Sequence, residues 1–84
     1  MQETIIEFFC YENDDAIEIQ LEPEAFLFKA DPKTTLKFVA KCDVPFLWAL
    51  RIDHKREGIQ LFPDTKGTYE IEIYENGILL DWYK

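Results

Sequence analysis

The sequence predicts a small all-β fold, an antiparallel β-sandwich of seven or eight strands, on three observations. No segment of the 84 residues sustains a helical period of apolar positions. Short runs rich in β-branched and aromatic residues recur instead, broken at intervals of roughly 8–12 residues by Pro, Gly, Asn and Asp. Where strands can be registered, apolar and polar residues alternate. Each sheet then has one packed and one wet face, as in two sheets stacked on a common core. The length allows a single domain, residues 1–84, that buries only about 60–65 % of its surface on folding. With 48 % apolar and 15 % aromatic residues, the chain can make that core dense.

Strands are expected near 4–11, 16–22, 25–30, 35–42, 46–54, 59–62, 68–75 and 78–83. A four-residue turn over Glu12 to Asp15 aligns Cys10 with Ile17, Phe8 with Ile19 and Ile6 with Leu21, giving an acidic N-terminal hairpin. Pro23 and Asp31-Pro32 bound the third strand, because a fixed φ and a missing N–H end a ladder. In the fourth, Leu36, Phe38, Ala40 and Cys42 face in while Lys37 and Lys41 face out. In the fifth, Phe46, Trp48, Leu50 and Ile52 face in, opposite Leu47, Ala49, Arg51 and Asp53. Glu57-Gly58 breaks before 59–62, and Pro63 through Gly67 break after it. Asn76-Gly77 is a type I′ hairpin signal, since that turn needs positive φ at both central residues. It pairs Glu75 with Ile78, Tyr74 with Leu79 and Ile73 with Leu80. Tyr69, Ile71, Ile73, Ile78, Leu80 and Trp82 then share a core face, and Glu70, Glu72, Tyr74, Leu79, Asp81 and Tyr83 the other.

Three features of the C-terminal part look like an immunoglobulin-like or fibronectin type III-like sandwich. An inward-apolar strand, Leu36 to Cys42, precedes a strand with an inward Trp48. The run Asp64-Thr65-Lys66-Gly67-Thr68-Tyr69 is similar to the tyrosine corner before the sixth strand of such domains, and Asn76-Gly77 would join the sixth and seventh. The resemblance implies a Greek-key scaffold, a fold that hosts many unrelated functions.

Composition excludes several chemistries. There is no serine, so a serine hydrolase is ruled out, and one histidine with two cysteines cannot build a conventional zinc or copper site from those ligands. Three isolated glycines cannot form a phosphate loop. Glu12, Asp14 and Asp15 lack the spacing and glycine of a calcium loop. His54, followed by Lys55-Arg56, reads as a solvated histidine, and Cys42, a possible nucleophile for it, falls on the core face. No catalytic residue, metal or cofactor is expected. The N-terminus lacks a basic, apolar leader pattern, and Cys10 and Cys42 sit in apolar strands as buried free thiols. Both points favour a cytoplasmic protein.

Charge is distributed unevenly. Residues 1–24 hold eight acids and no Lys or Arg, while the remainder holds nine of each sign, so the formal charge of -8 belongs to the N-terminal segment. Nucleic acid and anionic membrane are therefore poor partners, and the ladder Lys29, Lys33, Lys37, Lys41 is interrupted by a turn at Lys33. Like-charged Glu72 and Asp81 face one another across the last hairpin, which calls for a neighbouring base, expected to be Arg51. The leading expectation is a non-enzymatic protein-interaction module that binds a protein partner or a second copy. Its contact face is Leu47, Arg51, Tyr74, Leu79 and Tyr83. The alternative is a small acidic inhibitor of a basic enzyme, of the immunity-protein or nucleic-acid-mimic type. It would act through Glu7, Glu12, Asp14, Asp15 and Glu18.

Overall fold

Alternating runs become strands almost where the pattern places them. A computed structural model describes residues 2–81, with β1 (Gln2–Phe9), β2 (Ile17–Leu21), β3 (Phe26–Ala30), β4 (Thr35–Cys42), β5 (Phe46–Asp53), β6 (Gly58–Thr65), β7 (Tyr69–Glu75) and β8 (Ile78–Leu80). No helix occurs among the described residues. The strands make two four-stranded sheets, the first ordered β1-β4-β7-β8 and the second β3-β2-β6-β5. Trp82 and Tyr83, assigned above to the core and contact faces, lie outside the described residues.

Inward side chains of both sheets meet in one core. Ile19, Leu36, Phe38, Leu61 and Ile73 are the largest fully buried side chains. Phe38 on β4 sits at the centre, edge-to-face with Phe8 at 5.9 Å, Phe28 at 5.5 Å and Trp48 at 6.3 Å between ring centroids. Phe46 extends the array to Trp48 and Tyr69. Such pairs contribute roughly 0.5–1.5 kcal/mol each beyond area burial. Because their packing spans both sheets, they fix how one sheet sits on the other.

Four expectations are corrected. The N-terminal hairpin does not form: β1 pairs with β4, Glu7 opposite Lys37, and β2 pairs with β3 and β6 in the other sheet. Ile6, Phe8, Cys10, Ile17, Ile19 and Leu21 do all point inward, into the same core cluster. Two strands that share an inward parity can lie side by side or face one another across the core, and alternation alone does not choose. Second, the sandwich is not wholly antiparallel, since β2 runs parallel to β6. Third, Arg51 is not beside the last hairpin, because β5 neighbours β6 in the second sheet and β7 is flanked by β4 and β8. Fourth, β6 is longer than the expected 59–62 and runs through Pro63. The proline is tolerated because β2 has ended there. Leu61 accepts from the Glu22 N–H on the β2 side, so Pro63, two residues on, points to the same side, past the end of the ladder.

The Asn76-Gly77 hairpin forms in the predicted register, Glu75 with Ile78, Tyr74 with Leu79 and Ile73 with Leu80. Both central residues take positive φ, 50° at Asn76 and 82° at Gly77. The loops 10–16, 31–34, 54–57 and 76–77 gather at one end of the sandwich and 22–25, 43–45 and 66–68 at the other. Cys10 and Cys42, both free and buried, are thereby held near opposite ends of β4. At about 3.3 Å per residue that is far beyond disulfide reach.

Candidate functional site

The predicted contact face is divided between two sheets. Tyr74 and Leu79 are cross-strand partners on the outer face of the first sheet. Leu47 and Arg51 lie on the outer face of the second, opposite Asp64 and Gln60. The sandwich core therefore separates the two halves of that set, and Tyr83 lies outside the described residues.

On the first sheet, charge is paired across strands. Lys41 Nζ lies 3.0 Å from Glu72 and 3.9 Å from Glu3. Tyr74 donates its hydroxyl to Glu72 at 3.2 Å, and Lys37 Nζ sits 4.8 Å from the centroid of the Tyr74 ring. The hydrogen bond from Lys41 to Glu72, and the carboxylate's charge, push the lysine pKa up. Burial chiefly, then Glu72, pushes the Tyr74 hydroxyl up. A base does neutralise Glu72, then, but it is Lys41 of β4. Arg51 is on the other sheet with Gln60 and Asp53.

Four of the eight acids in the N-terminal segment are matched by the lysine ladder. Glu3 and Glu7 lie opposite Lys41 and Lys37, Glu18 lies opposite Lys29, and Glu12 is 3.7 Å from Lys33. Asp14 accepts from the Tyr11 N–H, and the Asp15 carbonyl accepts from the Cys10 thiol. Burial raises the Cys10 pKa, reinforced by Asp14, Asp31 and Asp15, so the thiol is held protonated. Of the five proposed docking acids, Glu7 and Glu18 are on opposite faces of the molecule, and only Glu12, Asp14 and Asp15 share a loop. The Cys42–His54 combination is likewise separated, Cys42 lying at the end where β5 begins and His54 just past the end where it finishes.

The outer face of the second sheet carries a side-chain chain of another kind. The two oxygens of Glu22 accept from the amides of Gln20 and Gln60, whose carbonyls accept from Arg56 and Arg51. Gln20 and Gln60 are partners across the parallel β2–β6 ladder, so the chain ties β2, β6 and β5 together.

What the alternation pattern misses is the β5 edge. Leu50 and Ile52 are on the inward side, opposite Leu61 and Ile59, yet they are 49 % and 65 % exposed. The first sheet does not reach over them: β1 meets β5 at its other half, where the Trp48 indole N–H donates to the Thr4 carbonyl at 3.0 Å. With Leu47 at 68 % exposure, β5 displays three large apolar side chains on one edge strand. The backbone is open there too. Leu61 turns its polar groups to β2, so Gln60 and Phe62 turn theirs to β5, and Arg51 and Ala49 bond back to them. The N–H and C=O groups of Leu50 and Ile52 consequently point away from the sheet. The charge balance separates the two long edges, since β1 carries two Glu whereas β5 carries one Arg and one Asp and no net charge.

Fold and surface together define a small two-sheet all-β protein whose described residues include two long edge strands with exposed apolar side chains, β1 with Ile5 and Phe9 and β5 with Leu47, Leu50 and Ile52. No protein-family model, curated protein or solved structure matches the chain.

Proposed function

We propose that the chain is a non-enzymatic protein-interaction module whose contact surface is the β5 edge, Leu47 to Asp53. The observation that carries this reading is the coincidence of exposed Leu47, Leu50 and Ile52 with unpaired backbone groups on the same strand. Edges of soluble sheets are normally blunted by lysine, proline or a bulge, and an unblunted apolar edge is a template for strand addition. The contact residues are thus Leu47 and Arg51 from the original set, joined by Leu50 and Ile52. Tyr74 and Leu79 belong instead to the paired outer face of the first sheet. The immunoglobulin-like assignment stays a proposal of architecture, supported by the β4-β7-β8 run that ends in the tight Asn76-Gly77 hairpin.

The acidic-inhibitor reading keeps the support of the 12–15 loop alone, because Glu7 and Glu18, the other two acids of its docking set, lie opposite Lys37 and Lys29. A photo-crosslinking residue placed at position 52 is expected to yield a discrete protein adduct that survives raised salt. Adducts formed instead from position 12 or 15, and lost as salt rises, would move the function to the acidic loop. No adduct from 47, 50 or 52 would remove the edge from consideration.

A further inference from the structure

We propose that the partner of the β5 edge is a second copy of this chain, paired antiparallel about a two-fold axis through Ile52. This rests on the protein-binding reading of that edge and names its occupant. The argument is one of self-complementarity. In an antiparallel self-pair, only registers that bring outward-pointing backbone groups together can form a ladder, which limits the centre to a few positions. A centre at Leu50 would set Leu47 against Asp53 and Ala49 against Arg51, leaving both charged side chains opposite apolar ones. A centre at Arg51 would set Arg51 against its own copy, like charges face to face. Centring on Ile52 avoids both. It places Ile52 against Ile52 of the second copy in a hydrogen-bonded pair and Leu50 against His54. It also sets Arg51 against Asp53, twice, as oppositely charged direct neighbours with Cβ atoms about 4.5–5.5 Å apart.

The side chains are ready for that arrangement. Arg51 uses Nη1 for the Gln60 side-chain carbonyl on β6, and that bond does not engage its Nη2. Asp53 uses one oxygen, Oδ1, to cap the N–H groups of Lys55 and Arg56, and turns Oδ2 toward Arg51 at a loose 3.9 Å. Its second oxygen can therefore accept from a guanidinium across the interface without releasing the turn. On the inward side, Leu50 and Ile52 of both copies would cover one another and complete the part of the core cover that β1 does not supply.

The test is sedimentation velocity of the purified full chain from micromolar to near-millimolar concentration, with near-UV circular dichroism as the check on folding. The expected result is a concentration-dependent dimer that Ile52→Lys weakens by roughly tenfold or more. Arg51→Asp alone should also be monomeric, as should Asp53→Arg alone, because each sets like charges opposite one another. Mixed in equal amounts, they should form a heterodimer, because both cross-strand pairs become attractive again. If Asp53→Arg loses its fold with its caps, the Ile52→Lys arm decides. A wild-type chain that stays monomeric throughout overturns the second copy as partner. If position 52 still crosslinks to another protein, the interaction-module reading survives that result; if it does not, both fall. A dimer that persists in folded Ile52→Lys overturns the surface, and two folded single variants that fail to associate overturn the register.

Discussion

At the scale of single residues, glycine does two different jobs in this chain. Gly77 supplies a positive φ in an open turn, with nothing within 4 Å of where a Cβ would stand. Gly58 has a different role. It opens β6, and a Cβ on it would lie 2.6 Å from the Glu18 carbonyl oxygen on β2, a backbone atom that cannot step aside. The sequence pairs it with Glu57 as a turn, and indeed Glu57 takes the left-handed conformation, φ 53°, while Gly58 is needed for the approach of two parallel strands. Gly58→Ala should therefore destabilise the protein by about 1–3 kcal/mol, the range for forced overpacking, read as a lowered urea midpoint. Gly67→Ala is the control. There the obstruction is the tip of Val44, a half-exposed side chain, and the loss should be smaller. Equal losses would mean that the close β2–β6 contact is not what Gly58 serves.

At the scale of elements, the last hairpin shows what a sequence can specify locally. Asn76-Gly77 dictates a turn type, the turn type dictates register, and the observed pairs are the predicted ones. Asn76 adds a longer-range tie: its side-chain carbonyl accepts from the Thr35 N–H and its own N–H donates to the Thr35 carbonyl, joining the turn to the start of β4. Gly77→Ala should cost about 1–2 kcal/mol through its left-handed φ alone. Asn76→Gly, which keeps the conformation and removes only the side-chain bond, should cost about 0.5–1.5 kcal/mol. Thermal melts of the two variants and their combination check this; a neutral Asn76→Gly would show that the tie to β4 is idle. The first twenty residues carry no such instruction. Ile6, Phe8, Ile19 and Leu21 declare which way they face and nothing in the 10–16 loop declares a turn type, so inward facing was legible and sheet membership was not. The β5 edge escaped for a related reason. Leu50 and Ile52 alternate like core residues, and only the reach of β1, a property of the other sheet, leaves them bare.

At the scale of the whole molecule, Cys10, Lys41, Tyr69 and Tyr74 are each held above their ordinary pKa values, and that sets a pH response. Burial raises Cys10, with nearby Asp14, Asp31 and Asp15 adding to it; burial raises Tyr69, with Glu24 adding; burial and Glu72 raise Tyr74; the bond to Glu72 raises Lys41. Each group keeps its proton to higher pH folded than unfolded. The unfolded chain thus releases protons first, and every such release favours unfolding. Below the unfolded values, about 8.5 for Cys, 10 for Tyr and 10.4 for Lys, the full contribution is present; it is lost as pH climbs from there through the folded values. The melting temperature, followed by circular dichroism in the presence of reductant, should hold level between about pH 7 and 8 and fall progressively above about pH 8.5. Cys10→Ala should remove the earliest part of that decline, since the remaining three groups begin to matter only near about pH 10. The direction follows from the architecture. Three of the four are dominated by desolvation, and the fourth, Lys41, is tied into the Glu72 cluster on the first sheet's outer face, so an alkaline limit comes from packing charged and ionisable groups onto a sandwich only 84 residues long. A melting temperature that stays level to pH 11, or a Cys10→Ala curve that coincides with the parent's above pH 8.5, would show that these groups are not coupled to folding in this way.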